Sequence, residues 1–146
     1  MTPTLHVVDE PTADDREAVL SRLLAYNAES GYPADGQSVA VLLKDGSGAT
    51  AGGLWGRTGY GWLFAEFLVV PDELRGHDLG TKLMDDAESI AIERGCVGAW
   101  LTTFSFQARS FYEKRGYTAL DELPNSPDHN VRIFMSKRLS ASSPAP

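Results

Sequence analysis

One cysteine, three histidines and a shortage of positive charge mark this 146-residue sequence. A lone thiol, Cys96, excludes an internal disulfide framework. Three histidines, His6, His77 and His129, stand far apart with no metal-ligand spacing among them or with Cys96, so no metal is expected. Thirteen Lys and Arg against twenty Asp and Glu leave a net charge of −7. That balance argues against sequence-independent nucleic-acid binding, which rests on many basic contacts to phosphate. It suits a cationic substrate, since negative clefts attract cations, and it also favours plain solubility. No apolar run approaches the ~20 residues needed to span a bilayer, so no membrane partner is expected. The first residues, Met1 to His6, lack a basic stretch followed by an apolar one, which reads as a cytoplasmic protein without a secretory signal.

Hydrophobic content of 42% and charged content of 23% are those of an ordinary globular chain, and the length suits one domain, expected over residues 1–139. The remainder, Ser140 to Pro146, is small, polar and proline-containing and reads as a disordered tail. Leu5 to Val8 reads as a short first strand. Thr12 to Glu29 reads as a helix with Val19, Leu20, Leu23, Leu24 and Tyr26 on its apolar face and Thr12 or Asp14 as its cap. Strands are expected at Ser38–Lys44, Thr50–Arg57 and Trp62–Val70, joined by the turns Asp45-Gly46-Ser47-Gly48 and Thr58-Gly59-Tyr60-Gly61. Leu79 to Gly95 is the most regular helical pattern, closed by Gly95. A strand follows over Val97–Thr103, then a short helix over Gln107–Arg115 ended by Gly116, then strands over Tyr117–Leu123 and Val131–Leu139. A meander followed by strand–helix–strand units predicts a mixed, mostly antiparallel α/β (α+β) sheet of six to seven strands flanked by helices.

Chemistry concentrates in two places. The run Phe67-Leu68-Val69-Val70 breaks at Pro71 and leads into Arg75-Gly76-His77-Asp78-Leu79-Gly80-Thr81 at the start of the regular helix. A strand feeding a glycine-containing loop and a helix N-terminus gathers unpaired N–H groups and the positive end of the helix dipole, an anion cradle. Downstream, Phe111-Tyr112-Glu113-Lys114-Arg115-Gly116-Tyr117 sets tyrosines about a short helix end.

Together these segments resemble the acetyl-coenzyme A-binding core of the GCN5-related N-acetyltransferases (GNAT) over roughly Leu54 to Leu139. The resemblance implies acetyl-coenzyme A as co-substrate, with pyrophosphate contacts from backbone groups of Arg75, Gly76, His77, Asp78, Leu79, Gly80 and Thr81. It implies that Leu68, Val69 and Val70, on a bulged fourth strand splayed from the fifth, hold the pantetheine arm. One N–H there, that of Val69, would face the thioester oxygen and stabilise the tetrahedral intermediate. Tyr112 matches the tyrosine that faces the sulfur and is the expected general acid, while Tyr117 reads as core. Glu66, a carboxylate in an apolar strand, is the expected general base, with an exposed or ion-paired glutamate as its alternative. Ser105 stands where the family often has an asparagine on the pantetheine arm, with Thr103 and Gln107 as neighbours able to share the role. The acceptor is expected to be a small-molecule amine contacted by Tyr26, Asn27, Tyr32 and His129, with Glu29 and Asp35 nearby; His129 reads otherwise as a solvated loop residue. Homodimers are common in the family, although no stretch of this sequence marks an interface.

Asp78 departs from the pattern, which has glycine there. Its carboxylate either points outward or caps the helix, taking donors a phosphate would use; the intact surroundings favour the first. Two alternatives stay open: transfer of a different acyl group, and a coenzyme-binding sensor with little catalysis. Thiol release in the presence of amines separates an enzyme from a sensor.

Overall fold

A computed structural model describes residues 1–139, so the expected tail lies outside the described residues. The described residues divide into two compact units, one of residues 1–34 and one beginning at residue 35.

The first unit is one helix, α1 (Ala13–Glu29), preceded by irregular chain. Thr12 begins it through a reciprocal capping box: Asp15 N–H donates to Thr12 Oγ1 at 3.1 Å, and Thr12 N–H donates to Asp15 Oδ2 at 2.9 Å. These bonds hold the Asp15 carboxyl below its ordinary range. Gly31, at φ 95°, turns the chain out of the helix. The strand expected at Leu5–Val8 does not form. Four residues with no neighbouring strand have nowhere to place their N–H and C=O groups, and Leu5 and Val7 are fully exposed.

The second unit is a six-stranded sheet in the order β1-β2-β3-β4-β6-β5, built from β1 (Gln37–Lys44), β2 (Thr50–Gly59), β3 (Trp62–Val69), β4 (Gly98–Phe104), β5 (Thr118–Leu123) and β6 (Arg132–Arg138). All pairs are antiparallel except β3 with β4. The last strand therefore inserts between β4 and β5. Helix α2 (Leu79–Glu93) buries Leu83, Met84, Ala87 and Ala91 against the sheet. There they meet Leu54, Leu63, Ala99, Leu101, Ile133 and Met135, each such large apolar side chain contributing roughly 1.5–3 kcal/mol.

Both helix ends that matter to the site are closed by glycine in the same way. After α2, Gly95 (φ 82°) donates to Ile92 and Cys96 donates to Ala91. After α3 (Arg109–Lys114), Gly116 (φ 93°) donates to Glu113 and Tyr117 donates to Tyr112. This paired backbone pattern brings the residue after the glycine back onto the helix's last turn. It fixes the spacing of Tyr112 and Tyr117, whose rings meet edge to face at 5.9 Å.

Candidate active site

The sheet opens at one seam. β3 and β4 pair only at Trp62↔Gly98, Leu63↔Ala99 and Phe64↔Trp100, although β3 continues to Val69 and β4 to Phe104. Beyond Phe64 the inner edges of both strands are unpaired with each other. The cause is on β3. Its register against β2 runs Leu54↔Leu68, Trp55↔Phe67 and then Gly56↔Ala65, so Glu66 is an extra residue, a β-bulge. The bulge reverses the side-chain alternation: Leu63 and Ala65 are buried before it, and Leu68 packs on the core after it. Gly56 permits this, because a Cβ there would collide with the Phe64 carbonyl oxygen.

The opened seam is a cleft of about 940 Å³. One wall is β3 from Ala65 to Val70, and the other is Thr102 and Thr103 of β4 with Phe106, Gln107, Ala108, Phe111 and Tyr112. Arg75 and Gly80 close its end at the start of α2. Thr102 and Thr103 point to opposite faces of the sheet, so the cleft reaches both.

At α2, the N–H groups of Leu79, Gly80 and Thr81 have no intrahelical acceptor, and no side chain caps them. Asp78 occupies the cap position in the left-handed region (φ 54°, ψ 29°), and its carboxylate makes no cap hydrogen bond. That conformation explains the preference for glycine at this position; aspartate is among the few other residues that adopt it. Gly76 is also at positive φ (89°), so the loop curls in the manner of backbone anion nests. Gly80 lies against Phe111, where a Cβ would stand 3.4 Å from the ring. The Arg75 guanidinium pairs with Asp72 at 2.9 Å and reaches the Val70 carbonyl at 3.3 Å.

Tyr112 lies on the cleft wall, 8% exposed, and its hydroxyl has no hydrogen-bond partner among the described residues. Burial pushes its pKa up to about 12. Tyr117 is in the core as expected. Its hydroxyl donates to Glu88 Oε2 at 2.9 Å, and burial raises its pKa further. Glu88 is itself 7% exposed and also receives Lys137 at 2.8 Å and Arg115 at 3.2 Å. This buried cluster has no signal in the linear sequence, because Glu88 sits on α2, Arg115 and Tyr117 follow α3, and Lys137 is on β6.

Glu66 lines the cleft and is ion-paired with Arg57 at 3.1 Å. The Arg57 guanidinium lies over Phe64, which stacks on Trp100 at 4.1 Å. Ser105 is not among the cleft-lining residues: its Oγ accepts from Val131 N–H at 3.0 Å and donates to Asn130 at 3.0 Å, pinning the end of β4 to the start of β6. Thr103 and Gln107 line the cleft instead, with Gln107 Oε1 accepting from Phe104 N–H at 2.9 Å. His77 and His129 are exposed on their loops. Tyr26, Asn27 and Tyr32 belong to the first unit, where Tyr26 and Tyr32 are exposed. Cys96 is buried, which raises its thiol pKa. Among the described residues no cluster of three or more His, Cys, Asp or Glu is placed to hold a metal, and no helix is long and apolar enough to cross a membrane.

The model of the acetyltransferase (GNAT) family matches residues 6–117. Acetyltransferase Atu2258 of Agrobacterium fabrum is 33% identical over 115 residues, covering 79% of this chain and 84% of that protein. The blasticidin-S acetyltransferase of Streptomyces morookaense is 40% identical over 93 residues, covering 63% and 68%. Among solved structures, an acetyltransferase from Bacillus cereus superposes with a TM-score of 0.77 at 28% identity, covering 92% of this chain and 98% of that one. An aminoglycoside 6'-N-acetyltransferase complexed with coenzyme A superposes with a TM-score of 0.62 at 21% identity, covering 95% and 97%.

Proposed function

Since the chain belongs to the GNAT acetyltransferase family, we propose that it transfers an acetyl group from acetyl-coenzyme A to a primary amine of a small molecule, by direct attack in a ternary complex. The observation that carries this reading is the opened β3–β4 seam, with the uncapped start of α2 at its end and Tyr112 on its wall. The residues present fit the coenzyme. The first-turn N–H groups of α2 offer donors for a pyrophosphate, and the free edge of β3 through Leu68, Val69 and Val70 offers an extended amide chain the pairing of an added strand. The blasticidin-S relative supports a small-molecule acceptor.

Bound there, acetyl-coenzyme A would supply the thioester whose C–S bond breaks as the amine's N–C bond forms. An N–H on the free β3 edge beyond the bulge donates to the carbonyl oxygen as it gains charge; that of Val69, expected in this role, belongs to a residue whose carbonyl turns toward Gly52 of β2. Glu66, beside the gap, accepts a proton from the incoming ammonium through water, leaving a neutral nucleophile. The second N–H proton, lost as the amide forms, ends on sulfur, and Tyr112 donates toward that sulfur. A phenol at about 12 is a weaker acid than a thiol near 8.5, so full proton transfer costs roughly 5 kcal/mol. Tyr112 therefore acts first as a hydrogen-bond donor to the departing thiolate and hands over its proton only as the nitrogen's proton replaces it. Gln107 takes the amide-contact role on the pantetheine arm.

The test is calorimetric titration with acetyl-coenzyme A together with free-thiol release across an amine panel. Saturable binding and amine-dependent thiol release are expected, with KM for the coenzyme between about 1 µM and 1 mM. Binding without thiol release from any amine would leave a sensor, and no binding would sink the reading altogether.

A further inference from the structure

Arg132 stands apart from the other arginines around the cleft. Arg57 is neutralised by Glu66 and Arg75 by Asp72, but no carboxylate among the described residues lies within 4.0 Å of Arg132. The nearby acids on β5 are engaged elsewhere: Glu122 accepts from Arg109 at 3.0 Å, and Asp121 accepts from the Glu122 N–H at 2.8 Å.

Arg132 is nevertheless held in place. It pairs directly with Phe104 across β4 and β6, and its guanidinium lies 5.1 Å from the centre of that ring. Its Nε and Nη2 both donate to Thr102 Oγ1, at 3.2 and 3.1 Å. The Ser105–Asn130–Val131 bonds fix the chain just before it. Two donors are thus spent on one hydroxyl, and the rest of the five-donor fork has no acceptor among the described residues. A positioned guanidinium with free donors is a carboxylate receptor.

Its position says whose carboxylate. Thr102 and Phe106 line the cleft, and Phe106 stacks on Phe104 at 5.2 Å. Thr102 shares a face with Trp100 and Phe104, opposite the face that α2 covers. The phosphate cradle is at α2, so Arg132 serves the other mouth of the cleft, where Arg57, Phe64 and Trp100 also lie.

We infer that Arg132 and Thr102 bind a carboxylate carried by the acceptor, which is therefore an amino acid whose reacting amine is remote from its acid group. The inference rests on the transferase reading above. β3 and β6 flank β4, so Glu66 and Arg132 are separated by two interstrand spacings of about 4.8 Å each, or more where the seam opens. An ω-amine on a chain of several carbons spans that distance, and an α-amine does not.

The test compares 6-aminohexanoate with its neutral analogue 6-aminohexanamide by thiol release, in wild type, Arg132→Gln and Arg132→Lys. Wild type is expected to favour the acid in kcat/KM by roughly ten- to hundredfold, the worth of a charge-assisted bond. Arg132→Gln should bring the ratio near one, and Arg132→Lys should keep part of it. A wild-type ratio near one or below, or a ratio that Arg132→Gln leaves intact, overturns the inference. Calorimetry with the products, 6-acetamidohexanoate and its amide, reads the same preference without turnover. Preference for the acid that Arg132→Gln removes supports the inference; equal binding of both, or of neither, overturns it. Failure of the transferase reading shows separately, as acetyl-coenzyme A that neither binds nor releases thiol with any amine.

Discussion

Tyr112 and Tyr117 are five residues apart, both buried, and their rings touch. They do opposite things with the same phenol. Tyr117 spends its hydroxyl on Glu88, inside a cluster with Arg115 and Lys137, and has nothing left to offer a ligand. Tyr112 keeps its hydroxyl at the cleft wall with no partner among the described residues. The same helix-ending glycine sets both positions, so one backbone motif supplies a fixed support and an available donor. Chemical availability here comes from the absence of a partner rather than from the residue type.

The largest break in that comparison is Tyr112→Phe. It should lower kcat for acetyl transfer by roughly 10²- to 10⁴-fold, the range for a positioned acid or donor, while the denaturation midpoint barely moves. Glu88→Ala should act on the other side. It leaves Arg115 and Lys137 without their buried counter-charge, an effect of about 3–5 kcal/mol on stability measured by urea unfolding. The alkaline limb of stability sharpens the comparison further. Tyr112 has a folded pKa of about 12 against about 10 unfolded, so its contribution is complete below pH ~10 and is lost as pH rises through ~12. That loss is about 2–3 kcal/mol at full ionisation, and unfolding curves between pH 9 and 12 should be flatter in Tyr112→Phe. Tyr117→Phe should cost about 1–3 kcal/mol of stability by leaving Glu88 short of a donor, with kcat changed less than Tyr112→Phe changes it. Asp78→Gly should have the smallest effect. It relieves a left-handed aspartate and removes a carboxylate from the loop, giving coenzyme binding as tight or tighter and a stability change within about 1 kcal/mol. Abolished binding would mean that the aspartate holds the loop in shape.

Much of this arrangement is legible in the sequence because the signals are local. The α2 pattern and its closing Gly95, the hairpin turns, and the tyrosine pair around Gly116 each depend on residues within a few positions of one another. The strand expected at Leu5–Val8 does not form because a short apolar segment does not by itself supply a neighbouring strand. Ser105 looked like a ligand contact by position, but its hydroxyl is spent on the β4–β6 junction. The Glu88 cluster and the free donors of Arg132 were invisible because they join elements far apart in the chain. The insertion of β6 between β4 and β5 brings Lys137 to the first and Arg132 beside Thr102.

The bulge at Glu66 makes this stretch sensitive to length more than to letter. Exchanging Glu66 for another residue alters one side chain. Deleting it would join Ala65 to Phe67 in an unbroken ladder with β2, with Leu68 and Val70 still facing the core, and would remove the bulge that opens the seam. Natural variants of this chain should accordingly show few one-residue gaps at that position, and an engineer seeking a closed, inert version of the sheet would reach it most directly by removing a single codon.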